Sequence, residues 1–121
     1  MKVYGVSQSS GAERCLEVAW GGGGIVLAIQ DPGTKRQPGQ EWARVAVRED
    51  DLLPALTDPA PGGATVEGTS PVHGWKMLLK VEVRRNEVWL DARPVTGLVG
   101  EDIAVGLDDF QDALDEAIGQ A

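Results

Sequence analysis

The string VYGVS at residues 3–7 returns 63 positions later as VEGTS at residues 66–70. Sliding the chain by 63 lays residues 1–30 over 64–93 and gives seven identities in thirty without a gap. Val3 meets Val66, Gly5 meets Gly68, Ser7 meets Ser70 and Gly11 meets Gly74. Leu16 meets Leu79, Val18 meets Val81 and Leu27 meets Leu90. A longer loop, DPGTKRQPGQE, follows in the first copy, and the offset then falls to 58. VAVREDDLLPALTD (45–58) lies over IAVGLDDFQDALDE (103–116), with Asp50 and Asp51 matching Asp108 and Asp109. Similarity at a fixed spacing constrains the fold more strongly than local propensity does. It divides the chain into a first repeat at 1–58, a linker at 59–63 and a second repeat at 64–121.

Within one repeat the hydrophobic period is that of strands. In RCLEVAW (14–20), Leu16, Val18 and Trp20 share a face. GGGG (21–24) reads as a turn, because glycine tolerates positive φ. IVLAIQ (25–30) returns, and a hairpin there sets Trp20 opposite Ile25, Val18 opposite Leu27 and Leu16 opposite Ile29. A first strand at 2–7 and a fourth at 41–48 complete the set, with Val45 and Val47 inward. Asp50 or Asp51 is then expected to cap a helix running to about residue 57, with Pro54 in its first turn. The second repeat predicts strands near 65–69, 76–84, 87–93 and 101–106, with RRNE as the hairpin turn. A helix at 109–118, capped by Asp108, puts Phe110, Ala113, Leu114, Ala117 and Ile118 on one stripe. One helix covers a four-stranded sheet poorly, so pairing two units buries more. The expected fold is therefore α+β: two internally repeated ββββα units packed as one compact pseudo-twofold domain.

Composition narrows function. The net charge is -8, which argues against a chain held to nucleic acid by bulk charge alone. A single cysteine, Cys15, forms no internal disulfide, and with no signal-peptide pattern in MKVYGVSQSS the expected location is cytoplasmic. No apolar run reaches the roughly 18 residues of a membrane span. No Cys/His cluster points to a metal, and no cofactor is expected. GGGG lacks the Gly-Lys-Ser/Thr ending of a phosphate loop. His73 is the only histidine, in a loop with no placed nucleophile, and Cys15 reads as a half-buried strand residue. The chain is thus expected to be no enzyme.

The stretches RQPGQEWARVAVREDDLLPAL (36–56) and LKVEVRRNEVWLDARPV (79–95) are similar in layout to the units of the Whirly-type single-stranded-DNA-binding transcriptional regulators. That group includes the positive-cofactor-four coactivators and the Pur-alpha repeats. The resemblance implies paired units that present a sheet surface to single-stranded nucleic acid, in transcription or replication. The acidic balance departs from the Lys/Arg-rich surface of such binders.

Strand alternation supplies a candidate surface. With the valines inward, Trp42, Arg44 and Arg48 point out on one strand, and Lys80, Arg84, Trp89 and Arg93 on two others. Aromatic planes for bases and cations for phosphates are what a single strand needs. Lys35 and Arg36 add charge at the rim. The competing expectation is an acidic protein-binding module or inhibitor that binds a basic partner, possibly as a DNA mimic. Asp50, Asp51, Asp108, Asp109, Asp112, Asp115 and Glu116 would then carry it. Either a monomer with an internal pseudo-twofold or a homo-oligomer fits the pattern.

Overall fold

The computed structural model describes residues 1–121 apart from Lys35, Pro38, Leu98 and Val99. Strands β1 (Lys2–Val6), β2 (Glu13–Gly21), β3 (Gly24–Gln30) and β4 (Glu41–Val47) lead into helix α1 (Glu49–Thr57). Strands β5 (Ala64–Thr69), β6 (Lys76–Arg84), β7 (Glu87–Pro94) and β8 (Glu101–Gly106) lead into α2 (Leu107–Ile118). The elements lie where hydrophobic period and turn chemistry place them. The β2–β3 register pairs Leu16 with Ile29, Val18 with Leu27 and Trp20 with Ile25. Gly22 and Gly23 turn that hairpin at φ of 61° and 81°, the left-handed pair a two-residue hairpin needs.

The fold class differs from the α+β expectation. The eight strands form one closed antiparallel barrel in the order β1 to β8, with two short helices. They are not two ββββα units facing each other. Closure comes from two seams. β4 meets β5 at Ala46–Thr69 and Val47–Gly68, and β8 meets β1 at Val6–Ala104. A glycine sits at each seam because the neighbouring backbone leaves no room for a side chain. A Cβ on Gly5 would lie 2.1 Å from the Ala104 carbonyl oxygen, and one on Gly68 would lie 2.6 Å from that of Ala46. Edge-to-edge joining satisfies backbone groups that two separate sheets would leave exposed. Side-chain alternation reports which residues turn inward, and it is the same for a sheet and for a barrel.

The interior is filled by alternate residues of every strand, as an eight-stranded barrel requires. Leu16, Ile25, Leu27, Val45, Leu79, Leu90 and Ile103 are all buried in one cluster. Strand direction puts the β2–β3 and β6–β7 hairpins and both helices at one end. Leu52 of α1 and Phe110 of α2, both fully buried, extend the barrel cluster there. α1 packs on β5 and β6, and α2 packs mainly on β2, so each helix crosses to the other half. Neither helix has the expected side-chain cap: the N-cap residues are Arg48 and Gly106. The acids instead occupy the first turns, where they favour the helix dipole. Pro54 lies inside α1 rather than in its first turn. No helix among the described residues is long and apolar enough to cross a membrane.

Candidate functional site: two corners at the loop end

The opposite end of the barrel carries the four remaining connections, whose described residues are 7–12, 31–34, 36–37, 39–40, 70–75, 95–97 and 100. Two of these begin with the same turn. The Ser7 N–H donates to the Ala12 carbonyl at 2.9 Å, and the Gly11 N–H donates to the Ser7 carbonyl at 2.8 Å. The Ser70 N–H donates to the Trp75 carbonyl at 2.9 Å, and the Gly74 N–H to the Ser70 carbonyl at 2.7 Å. Gly11 and Gly74 have φ of 74° and 77°, which explains why glycine occupies both. The two serine hydroxyls each accept a backbone N–H, from Ser10 at 3.3 Å and from His73 at 3.1 Å.

The Ser7 corner is polar and closed. The buried Ser7 hydroxyl lies 2.6 Å from Asp102 Oδ1 and 3.0 Å from Glu101 Oε1, and its one proton serves one of them at a time. Ser9 adds its own hydroxyl to Asp102 at 2.8 Å and its N–H at 3.2 Å. Arg14 and Glu101 both turn inward, and Arg14 reaches Asp31 at 2.9 Å and Glu101 at 3.3 Å. Arg14 is only 8% exposed, so these charges plug the mouth. Its Nε is buried without a partner. Burial works to raise the Asp102 pKa, but the hydrogen bonds from Ser7 and Ser9 outweigh it and hold the carboxyl below its usual value.

The Ser70 corner keeps the turn and loses the polar contacts. In the repeat spacing, Arg14 becomes Met77, Asp31 becomes Pro94, Ser9 becomes Val72, and Glu101 and Asp102 become Ala43 and Arg44. What remains is a groove of about 330 Å3 bordered by Trp42, Ala43, Arg44, Val72, Trp75 and Met77. Trp42 is 46% exposed, Trp75 42% and Val72 66%. His73 stacks on Trp75 with ring centroids 4.0 Å apart. A second groove of about 610 Å3 follows the same seam and shares Met77, with Gly21–Gly24, Arg48, Glu67 and Lys76 around it. At the equivalent place beside the other seam the hairpin is Arg84–Glu87, with side chains where these glycines have none.

The sequence-derived surface residues do not gather on one face. Trp42 has no ladder partner in β3, where the register jumps from Ile29–Ala43 to Gln30–Glu41. This bulge re-aims the indole. Its Nε1 donates to Asp31 at 2.9 Å, and Arg14 lies 5.1 Å from the ring centroid. Arg44 pairs with Glu41 at 2.7 Å, and Arg48 is exposed, 3.9 Å from Asp50. Lys80, Arg84, Trp89 and Arg93 lie apart from these on the outer face of β6 and β7. Arg84 covers the Trp89 ring at 3.7 Å, and Trp89 Nε1 is buried without a partner. Arg84 also binds Glu82, which lowers the Glu82 pKa, and Arg93 binds Asp91, which raises its own. Arg36 is exposed on the long loop, and Lys35 lies outside the described residues.

Of the helix acids, Asp50, Asp51, Asp108, Asp109, Asp112, Asp115 and Glu116 all face solvent. Cys15 is fully buried rather than half-buried. Burial pushes its thiol pKa up, the opposite of what a nucleophile needs. Sequence reading missed Ser7, Arg14, Asp31, Glu101 and Asp102 on one side and Val72 and Trp75 on the other. The signal lay in the repeat: positions flanking the matched Ser and Gly residues differ in polarity between the copies. Comparison with family models, curated proteins and solved structures finds no match.

Proposed function

We propose that this chain is a non-catalytic protein-binding module that takes a basic segment of a partner protein into the open Ser70 corner. One observation carries the reading: the same turn is built twice, once filled by hydrogen bonds and ions and once left as an apolar groove. Two half-exposed tryptophans and Val72 beside it form apolar surface that folding has not covered, and such patches mark interaction sites. Tryptophan is also enriched among the residues that dominate binding energy. Charge sets the partner's sign. The charged residues lining the two grooves balance, Glu41, Asp51 and Glu67 against Arg44, Arg48 and Lys76, so the preference for a basic segment comes from the chain's net charge of -8.

Single-stranded nucleic acid is the weaker reading on this geometry. On the outer face of β6 and β7, Lys76, Lys80, Arg84 and Arg93 stand against Glu82, Glu87 and Asp91, four cations to three carboxylates. Arg84 lies over one face of the Trp89 ring. A phosphate tracking that face meets an excess of only one positive charge, where net positive charge is the term that dominates such binding.

Tryptophan fluorescence, followed during titration with a peptide of alternating arginine and valine about eight residues long, tests the proposal. The expected result is a saturable change at low salt that Trp75→Ala removes. A saturable change with oligo(dT), and none with the peptide, would replace a protein partner with nucleic acid.

A further inference from the structure

The open corner has a backbone feature that its closed counterpart lacks. β4 runs from Glu41, but its ladder to β5 holds only Ala46 and Val47. Among the described residues, Glu41–Val45 have β3 on one side and no strand on the other. Among the described residues, no loop backbone hydrogen bond reaches this stretch. In the other half, Glu101–Ile103 of β8 also lie beyond the seam, but Ser7 and Ser9 bind Asp102 and fill the space. An open strand edge is a template for another strand, and proteins ordinarily block one. Here the edge borders the groove of Val72, Trp75 and Met77.

Resting on the protein-binding reading above, we propose that the partner segment binds as an added β-strand along Glu41–Val45. Main-chain hydrogen bonds to the β4 edge supply affinity, and alternate side chains supply selection. One set of alternating side chains enters the groove against Val72, Trp75 and Met77, which calls for apolar residues. The other set faces outward, where the chain's net charge of -8 favours Lys or Arg. A second copy of this chain is the poorer occupant, since each copy brings a net charge of -8 and like charges oppose association. A partner with alternating basic and apolar residues meets both the charge and the groove.

Backbone methylation of the arginine–valine peptide tests strand addition separately from binding itself. In a strand pair, alternate residues of the added strand direct their N–H and C=O groups at the edge, and the others direct theirs away. Two peptides carry N-methyl groups on one alternate set or on the other. The expected result is that one set weakens binding by about tenfold per methylated amide, while the other binds like the unmodified peptide. Equal affinity for both methylated peptides, with the unmodified peptide still bound and Trp75→Ala still deleterious, overturns strand addition and leaves the groove reading standing. Failure of the unmodified peptide to bind overturns both.

Discussion

The Ser7 and Ser70 corners share a backbone and differ in what fills it. Each has a buried serine, a glycine at positive φ four residues on, and the same two backbone hydrogen bonds. Around Ser7 an inward arginine and three carboxylates close the barrel mouth. Around Ser70 the arginine is replaced by Met77 and the carboxylates by Pro94, Ala43 and Arg44, and a groove remains. The turn therefore needs only serine and glycine. The polar network is an addition that one corner has and the other does without, and its absence leaves both a strand edge and two tryptophans accessible.

The comparison breaks most sharply at Arg14. Arg14→Met imports the Ser70 corner's residue into a site where Glu101 is only 12% exposed. Losing the cation leaves Asp31 and Glu101 unpaired at the mouth, and urea unfolding is expected to show a loss of about 3 kcal/mol. A loss near zero would mean the ions do not hold that corner together.

The seam glycines come next. Gly5→Ala and Gly68→Ala each force a methyl into a neighbouring carbonyl, at a cost of about 1–3 kcal/mol. The closer approach at Gly5 makes its loss the larger, and thermal unfolding of the two variants ranks them.

Ser7→Ala and Ser70→Ala sharpen the contrast further. Ser7→Ala removes a donor to half-buried carboxylates and is expected to cost about 1.5 kcal/mol. Ser70→Ala removes an acceptor for one backbone N–H and is expected to cost about 0.5–1 kcal/mol. The two also differ with pH. The folded Asp102 pKa is depressed below the usual 3.8. Its contribution is therefore present above that value and is lost as pH falls through the folded value. Ser7→Ala brings the folded pKa toward the unfolded one, so its stability falls less in acid than that of the wild type, whereas Ser70→Ala follows the wild type. The smallest effect on stability belongs to Trp75→Ala. At 42% exposure it is expected to change unfolding by about 0.5 kcal/mol or less while removing peptide binding.

The strands, the hairpin registers and the inward valines were legible because they depend on period and turn chemistry within short stretches. Closure of the barrel was not. It depends on which edges meet, and the residues that permit it, Gly5 and Gly68, show in the sequence only as a matched pair of small residues. The geometry of the candidate face was only partly legible, for local reasons. A bulge turned Trp42 toward Arg14 and Asp31, and Arg84 lay down over Trp89. Strict alternation sees neither. The corners were half legible: the repeat aligned Ser7 with Ser70 and Gly11 with Gly74, but Arg14 finds Glu101 only across a closed mouth.

The most direct measurement is an amide NMR titration of the intact protein with the arginine–valine peptide. Shifts are expected to concentrate in residues 41–45 and 70–77, with residues 7–12 and 101–104 unmoved. Shifts centred on the Ser7 corner, or on the outer face of β6 and β7, would contradict the claim that the open corner is the binding site.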